Sequence, residues 1–181
     1  MRDRGHRRVG DQVLAGRKKI LVRRAGRPDA PGILQCLRAA FAPFEESYTP
    51  QAFEDTVLSE ATLEQRMASL SLWVAVDEVG DIIGTLGCGV VNQAEAHLRG
   101  MAVIPGWQGR GVAEKLLEAV EREFVEKGCS RFTLDTTEPL ARARRFYEKH
   151  GFRPTGVVTD LFGMPLTEQA KTLKLRTGKR S

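Results

Sequence analysis

The chain has 181 residues, of which 41% are hydrophobic and 28% charged, the proportions of a soluble globular protein long enough for one large core. No apolar run approaches the length of a membrane span and the basic N-terminus lacks the apolar stretch of a signal peptide, so no membrane partner is expected and a cytoplasmic location is. The formal net charge of +5 is unevenly placed: residues 1 to 27 carry ten Lys or Arg against Asp3 and Asp11, a surplus of eight, which leaves the remainder acidic by three.

Residues 1–19 have no hydrophobic period and read as a basic, disordered extension. No aromatic side chain is interleaved with the charges to stack on bases, which favours a solvated arm over a nucleic-acid contact. Ile20 to Arg24 reads as a first strand. Asp29 then stands as an N-cap before Ile33, Leu34, Leu37 and Phe41, which share one helical face. A second helical region opens at Thr49-Pro50 and carries Phe53 and Val57; Thr62 with Gln65 forms a capping box ahead of Met67 and Leu70. Cys36, Cys88 and Cys129 show no CxxC spacing, so free thiols are expected and neither a disulfide framework nor a metal site is.

Leu72 to Val76, a turn at Glu78 to Asp81, and Ile82 to Val91 read as a hairpin, whose first strand is apolar on both faces and therefore central. In the next strand, Glu95 to Ile104, alternation places Glu95, His97, Arg99, Met101 and Val103 on one face and Ala96, Leu98, Gly100, Ala102 and Ile104 on the other. A helix from Gly111 to Lys127 buries Ala113, Leu116, Leu117, Val120 and Phe124, with Gly128 as its C-cap. Arg131 to Asp135 forms a strand. Pro139 opens a helix that buries Leu140, Ala143, Phe146 and Tyr147 and ends at Gly151. Phe152 to Thr159 and Thr172 to Arg176 close the sheet, joined by an irregular segment at Phe162 to Pro165. The alternation of strands and helices makes this an α/β (α+β) chain with one domain over 20–176 and a short basic tail at 177–181.

The turn between strand and helix, Gln108-Gly-Arg-Gly-Val-Ala113, has the chemistry of an anion site. Gly109 and Gly111 let the backbone approach a ligand, and the first helical N–H groups are unpaired within the helix. It is not a P-loop, because Val112 and Ala113 stand where Lys and Ser or Thr are required; nor is it a dinucleotide fingerprint, whose third glycine would fall on Glu114. The spacing Gln108-x-x-Gly111-x-Ala113 resembles the pyrophosphate loop of the GNAT family of N-acetyltransferases. About thirty-five residues later, Tyr147-Glu-Lys-His-Gly151-Phe152 resembles the family's Tyr-x-x-x-Gly-Phe signature.

The resemblance implies a mixed, mostly antiparallel sheet of six to seven strands, split into a V between strands 4 and 5, with acetyl-CoA in the cleft. It implies that the backbone of Met101, Ala102 and Val103 pairs with the pantetheine arm, and that Gln108, Gly109, Arg110, Gly111, Val112 and Ala113 hold the pyrophosphate. By the same resemblance Tyr147 is the general acid that protonates the departing thiolate; a core tyrosine is the structural alternative. His97 falls where some members place the base that takes the amine's proton, with Glu95 as the rival base and water as a third acceptor. Many members carry an Asn a few residues before the tyrosine, where this chain has Glu138 and Leu140. Arg142, Arg144 and Arg145 offer a contact to the CoA 3′-phosphate.

The implied activity is acetyl-CoA-dependent transfer to a primary amine within a ternary complex, with no metal and no covalent acyl-enzyme. The acceptor is a small-molecule or peptide amine, with Phe44, Glu45, Glu46, Tyr48 and the Phe162 to Pro165 segment shaping its site. A non-catalytic acyl-CoA-binding module is the alternative, and a homodimer is left open.

Overall fold

The computed structural model describes residues 19–173. Residues 1–18 of the basic 1–19 extension, the 177–181 tail and residues 174–176 of the expected last strand lie outside the described residues; the strand that closes the sheet lies earlier than expected, at Met164–Thr172. Among those described, seven strands form one sheet: β1 (Leu21–Arg24), β2 (Ser71–Val76), β3 (Ile82–Val90), β4 (Glu95–Val103), β5 (Arg131–Thr136), β6 (Arg153–Leu161) and β7 (Met164–Thr172). Their order is β1-β2-β3-β4-β5-β7-β6, and every neighbouring pair is antiparallel except β4 with β5.

Two helical layers cover the sheet. On one face lie α1 (Ala30–Phe41), α2 (Pro50–Val57) and α3 (Glu60–Ser69), whose Ile33, Leu37, Phe53 and Leu63 cluster with Leu72, Val74 and Val76 of β2. On the other, α4 (Val112–Glu126) sets Leu116, Leu117, Val120 and Phe124 in a cluster with Trp73 and Ala75 of the same strand. The double apolar face of β2 is thereby used on both sides. Each fully buried Leu, Ile or Phe contributes about 1.5–3 kcal/mol, so these two layers carry most of the stability.

Several local expectations need correction. Asp29 gives α1 no side-chain cap, since its carboxylate accepts instead from Arg23 at 2.7 and 2.8 Å and from the Gly26 N–H at 2.8 Å. The capping box of α3 is formed by Ser59 and Thr62, one turn before the expected Thr62 and Gln65. Val112, not Ala113, fills the core at the start of α4. Pro139 lies in the turn before α5 (Ala141–Lys149), not in its first turn. The Phe162 to Pro165 segment is no irregular connection: Phe162 and Gly163 both have positive φ (48° and 86°) and make a two-residue hairpin turn. Asp160 Oδ2 accepts from the Gly163 N–H at 2.9 Å, and Pro165 is accommodated because β7 begins pairing with β5 only at Thr167.

The feature that positions the site is a bulge in β4. Thr85 and Gly87 of β3 stand opposite Ala102 and Arg99, so β4 carries one extra residue there, with Gly100 at φ +69°. An extra residue reverses the facing of everything beyond it. Ala96 and Leu98 face the α4 layer, but so do Met101 and Val103, while Ala102 turns to the α1 layer. The single alternation expected for Glu95 to Ile104 is therefore broken: His97 and Arg99 do not share a face with Met101 and Val103.

Candidate active site: the cleft between β4 and β5

The pairing of β4 with β5 runs only from Glu95 opposite Arg131 to Leu98 opposite Leu134. Beyond it β4 continues to Val103 and β5 to Thr136 without each other, which opens the sheet as a V at the expected place. Ile104 donates to Ile83 on the β3 side at 3.0 Å, so strand alternation turns the N–H groups of Met101 and Val103 toward the opening.

Two adjoining cavities of about 230 and 240 Å³ fill this V, with Phe41, Met101, Leu140, Ala143 and Tyr147 in the wall of both. The larger extends to Trp107, Gln108, Gly109, Ala113 and Arg142. Gly109 and Gly111 have φ of +75° and +85°, a conformation that favours glycine, and Gly111 is the N-cap of α4. The N–H groups of Val112, Ala113 and Glu114 are consequently free of helical partners. Gln108 does not point outward: its Nε2 donates to the Val103 carbonyl at 3.0 Å, and its Oε1 accepts from Arg142 Nη1 at 2.9 Å. The side chain thus fixes the loop to β4 and α5. Arg110 lies over the Trp107 ring at 5.6 Å.

Tyr147 is held by the way α5 ends. The Phe152 N–H donates to the Tyr147 carbonyl at 3.0 Å and the Gly151 N–H to that of Glu148 at 3.1 Å, with Gly151 at φ +91°. This is a Schellman cap, and its apolar contact is Tyr147 against Phe152, ring centroids 5.6 Å apart. The Tyr-x-x-x-Gly-Phe spacing is the sequence of that cap. Burial pushes the Tyr147 hydroxyl well above the usual tyrosine range, keeping it protonated.

The other cavity is lined by His97, Arg99, Asp55, Arg66 and Asp135. His97 is clamped from both ring nitrogens: Nδ1 meets Thr133 Oγ1 at 2.9 Å, and Nε2 lies 3.6 Å from Asp135 Oδ2. Glu95 is spoken for by Arg131 at 2.7 Å and accepts from Thr133 Oγ1 at 3.4 Å, which puts it behind His97 and outside the cavity wall. Arg99 pairs with Asp55 at 3.0 Å. Burial first, then repulsion from Arg99, brings the Arg66 guanidinium down to about 10. Tyr48 reaches this cavity and meets Thr137 Oγ1 at 2.7 Å, whereas Glu45 and Glu46 are exposed and line neither space. The expected walling segment at Phe162 acts only through its flanks, Leu161 and Leu166.

Thr133, Asp135, Asp55 and Arg66 were not singled out from the sequence. A signal existed for the first two: in Arg131-Phe-Thr-Leu-Asp135 the polar residues alternate with core residues, which marks one face of β5 as lining something other than core. The three cysteines are free and buried, with Cys36 and Cys88 pushed up to about 12 chiefly by burial.

The model of the acetyltransferase (GNAT) family matches residues 33–152, from α1 through the cleft to Phe152. The chain belongs to the GNAT acetyltransferase family. Among curated relatives, a ribosomal-protein-alanine N-acetyltransferase of Haemophilus ducreyi is 28% identical over 107 residues, which is 59% of this chain and 73% of the relative. A mycothiol acetyltransferase of Beutenbergia cavernae is 30% identical over 95 residues, or 52% of this chain, and the match spans only 32% of that longer protein. The crystal structure of the PaiA N-acetyltransferase of Thermoplasma acidophilum in complex with coenzyme A superposes with a TM-score of 0.71 at 18% identity, over 85% of this chain and 99% of that one. The shared fold is that of the GNAT acetyltransferases, and no helix among the described residues is long and apolar enough to cross a membrane.

Proposed function

We propose that this GNAT protein transfers an acetyl group from acetyl-CoA to a primary amine by direct attack within a ternary complex. The observation that carries this reading is the placement of Tyr147 in the wall shared by the two cavities, with the glycine loop at one end and His97 at the other. The loop fits a diphosphate: two glycines at positive φ, free N–H groups at the start of a fifteen-residue helix, and the guanidinium groups of Arg110 and Arg142 nearby. Acetyl-CoA, when bound, supplies the acyl carbon and a thiolate leaving group.

The chain's own groups then divide the work. Gly109 to Ala113 bind the diphosphate through backbone N–H groups. The open edge of β4 at Met101 to Val103 offers an N–H, fixed in advance, to the acyl oxygen. His97 Nε2, with its ring held through Nδ1 by Thr133, takes a proton from the attacking amine; Glu95 and Arg131 steady Thr133 and act through it. As the new C–N bond forms and the C–S bond breaks, the Tyr147 hydroxyl gives its proton to the sulfur. The free, buried thiols and the absence of a membrane-crossing helix among the described residues suit a cytoplasmic setting.

Calorimetry with acetyl-CoA and initial rates of CoA release against a panel of amines test the reading. Intersecting double-reciprocal lines are expected for a ternary complex; parallel lines would require a covalent acyl-enzyme and overturn direct transfer. Acetyl-CoA binding without release of CoA to any amine would leave only a binding module.

A further inference from the structure

The cavity beyond Tyr147 has two ends of opposite charge. At one end Arg66 and Arg99 converge, and among the described residues Asp55 is their one ion-pair partner, held by Arg99 at 3.0 Å. Arg66 donates through Nη2 to the Asp55 carbonyl at 3.2 Å, so its charge is not met by a carboxylate of its own. Its Nη1 packs under the bulge of β4, where a Cβ on Gly100 would stand 3.3 Å away. Two guanidinium groups and one carboxylate leave that end cationic. At the other end Asp135 faces His97 Nε2 at 3.6 Å, with no Lys or Arg lining that part of the cavity.

His97 and Arg99 are two residues apart on one face of β4, about 7 Å along the strand. The cavity of about 230 Å³ is smaller than the ~300–1,000 Å³ usual for drug-sized ligands. A ligand that answers both ends must therefore carry both charges on a short frame. Resting on the transferase reading above, we propose that the acceptor is a small zwitterion, an amine that also bears a carboxylate. Its carboxylate lies at Arg66 and Arg99, where planar guanidinium groups suit it, and its amine lies at His97 and Asp135.

The test uses matched pairs, each an amino acid and the amine left when its carboxylate is removed, given to the full chain with saturating acetyl-CoA while CoA release is followed. The carboxylate-bearing member is expected to show a KM at least tenfold lower. Arg66→Gln and Arg99→Gln should each bring the ratio of the two KM values toward one. Arg99, half exposed, carries the test if the more buried Arg66 variant fails to fold. Equal KM values in the wild type, a preference for the decarboxylated amine, a ratio unchanged in Arg99→Gln, or turnover confined to peptide N-termini would each overturn the proposal. Acetyl-CoA affinity, read in parallel by calorimetry, separates the two levels: intact binding with any of those results removes the acceptor class alone, whereas loss of binding in the wild type removes the transferase reading as well.

Discussion

Phe152 docks edge-on against Tyr147, and the two residues are also joined through the backbone, the Phe152 N–H donating to the Tyr147 carbonyl. The residue proposed as the acid is thus positioned by the cap of its own helix. Gly151 makes the cap possible at φ +91°. Gly151→Ala should lower stability by about 1–2 kcal/mol, the cost of a left-handed conformation for an L side chain. It should lower turnover as well, with little change in acetyl-CoA affinity. Thermal melting and kcat, read together, check this.

Tyr147→Phe retains the ring and removes only the hydroxyl. Stability should change by no more than about 1 kcal/mol, the worth of one hydrogen bond. Turnover should fall roughly tenfold to a hundredfold, near the range for one general acid. The deficit should shrink with an acyl donor whose thiol leaves readily as the anion. Equal losses with natural and activated thioesters would assign Tyr147 to positioning.

His97→Ala should lower turnover without weakening acetyl-CoA binding, and the loss should narrow as pH rises. The sign follows from the substrate: an alkyl ammonium loses its proton near ~10.4, so alkaline solution supplies free amine that needs no base. Thr133→Val, which removes the partner of Nδ1, should give a smaller loss of the same kind. A wild-type pH–rate profile in His97→Ala would return the role to water.

Gly111→Glu introduces no clash, since a Cβ there meets nothing within 4 Å, but it places a carboxylate at the N-terminus of α4 and forces φ +85° on an L residue. The protein should remain folded, as read by circular dichroism, and acetyl-CoA binding should be lost in calorimetry. Unchanged affinity would show that the loop does not hold the diphosphate.

Asp29 is held below the usual carboxylate range by the hydrogen bond from Arg23, helped by the Gly26 N–H. A depressed folded value means that its stabilisation is present above the ordinary carboxylate pKa of ~3.9 and is lost as pH falls through the folded one. Asp29→Asn keeps an acceptor for Gly26 and removes the charge. With Arg23 44% exposed the effect should stay below about 1 kcal/mol. Urea melts should separate wild type from variant at neutral pH and bring them together in acid.

Most of the strands, the helix faces and the glycine loop could be read from local pattern because each depends on near neighbours in the chain; the last strand, expected at Thr172 to Arg176, instead runs Met164–Thr172. The Ser59–Thr62 box of α3 was a local miss by one turn; the others depend on residues outside the local pattern. Asp29 looks like a cap until Arg23 of β1 takes its carboxylate. The Phe162-Gly163 turn lacks the Asn-Gly or Asp-Gly pair that announces a tight hairpin, and Thr49 Oγ1 of the α2 N-cap, donating to the Phe162 carbonyl at 2.9 Å, helps to hold it. The bulge did leave a mark, a lone Gly100 within an alternating strand, which is the signal for an extra residue. Without it Arg99 and Met101 appear to share a face, and the acceptor side of the site cannot be told from the donor side. Asp55 and Arg66 come from α2 and α3, and only the packing of those helices on the sheet brings them beside Arg99.

The sheet is two antiparallel plates, β1 to β4 and β5 to β7, fastened to each other along four residue pairs of one parallel seam. His97, Thr133, Glu95 and Arg131 all lie on that seam. Points on a hinge line move least when the leaves swing. A change in the angle between the plates would widen or narrow the slot at Met101 to Val103, proposed to take a thread-like donor, while leaving the cluster proposed to accept the proton in register. Under the proposed mechanism, the groups that need fixed distances thus lie along the axis, and the surface that must admit and release a long ligand lies on the leaves.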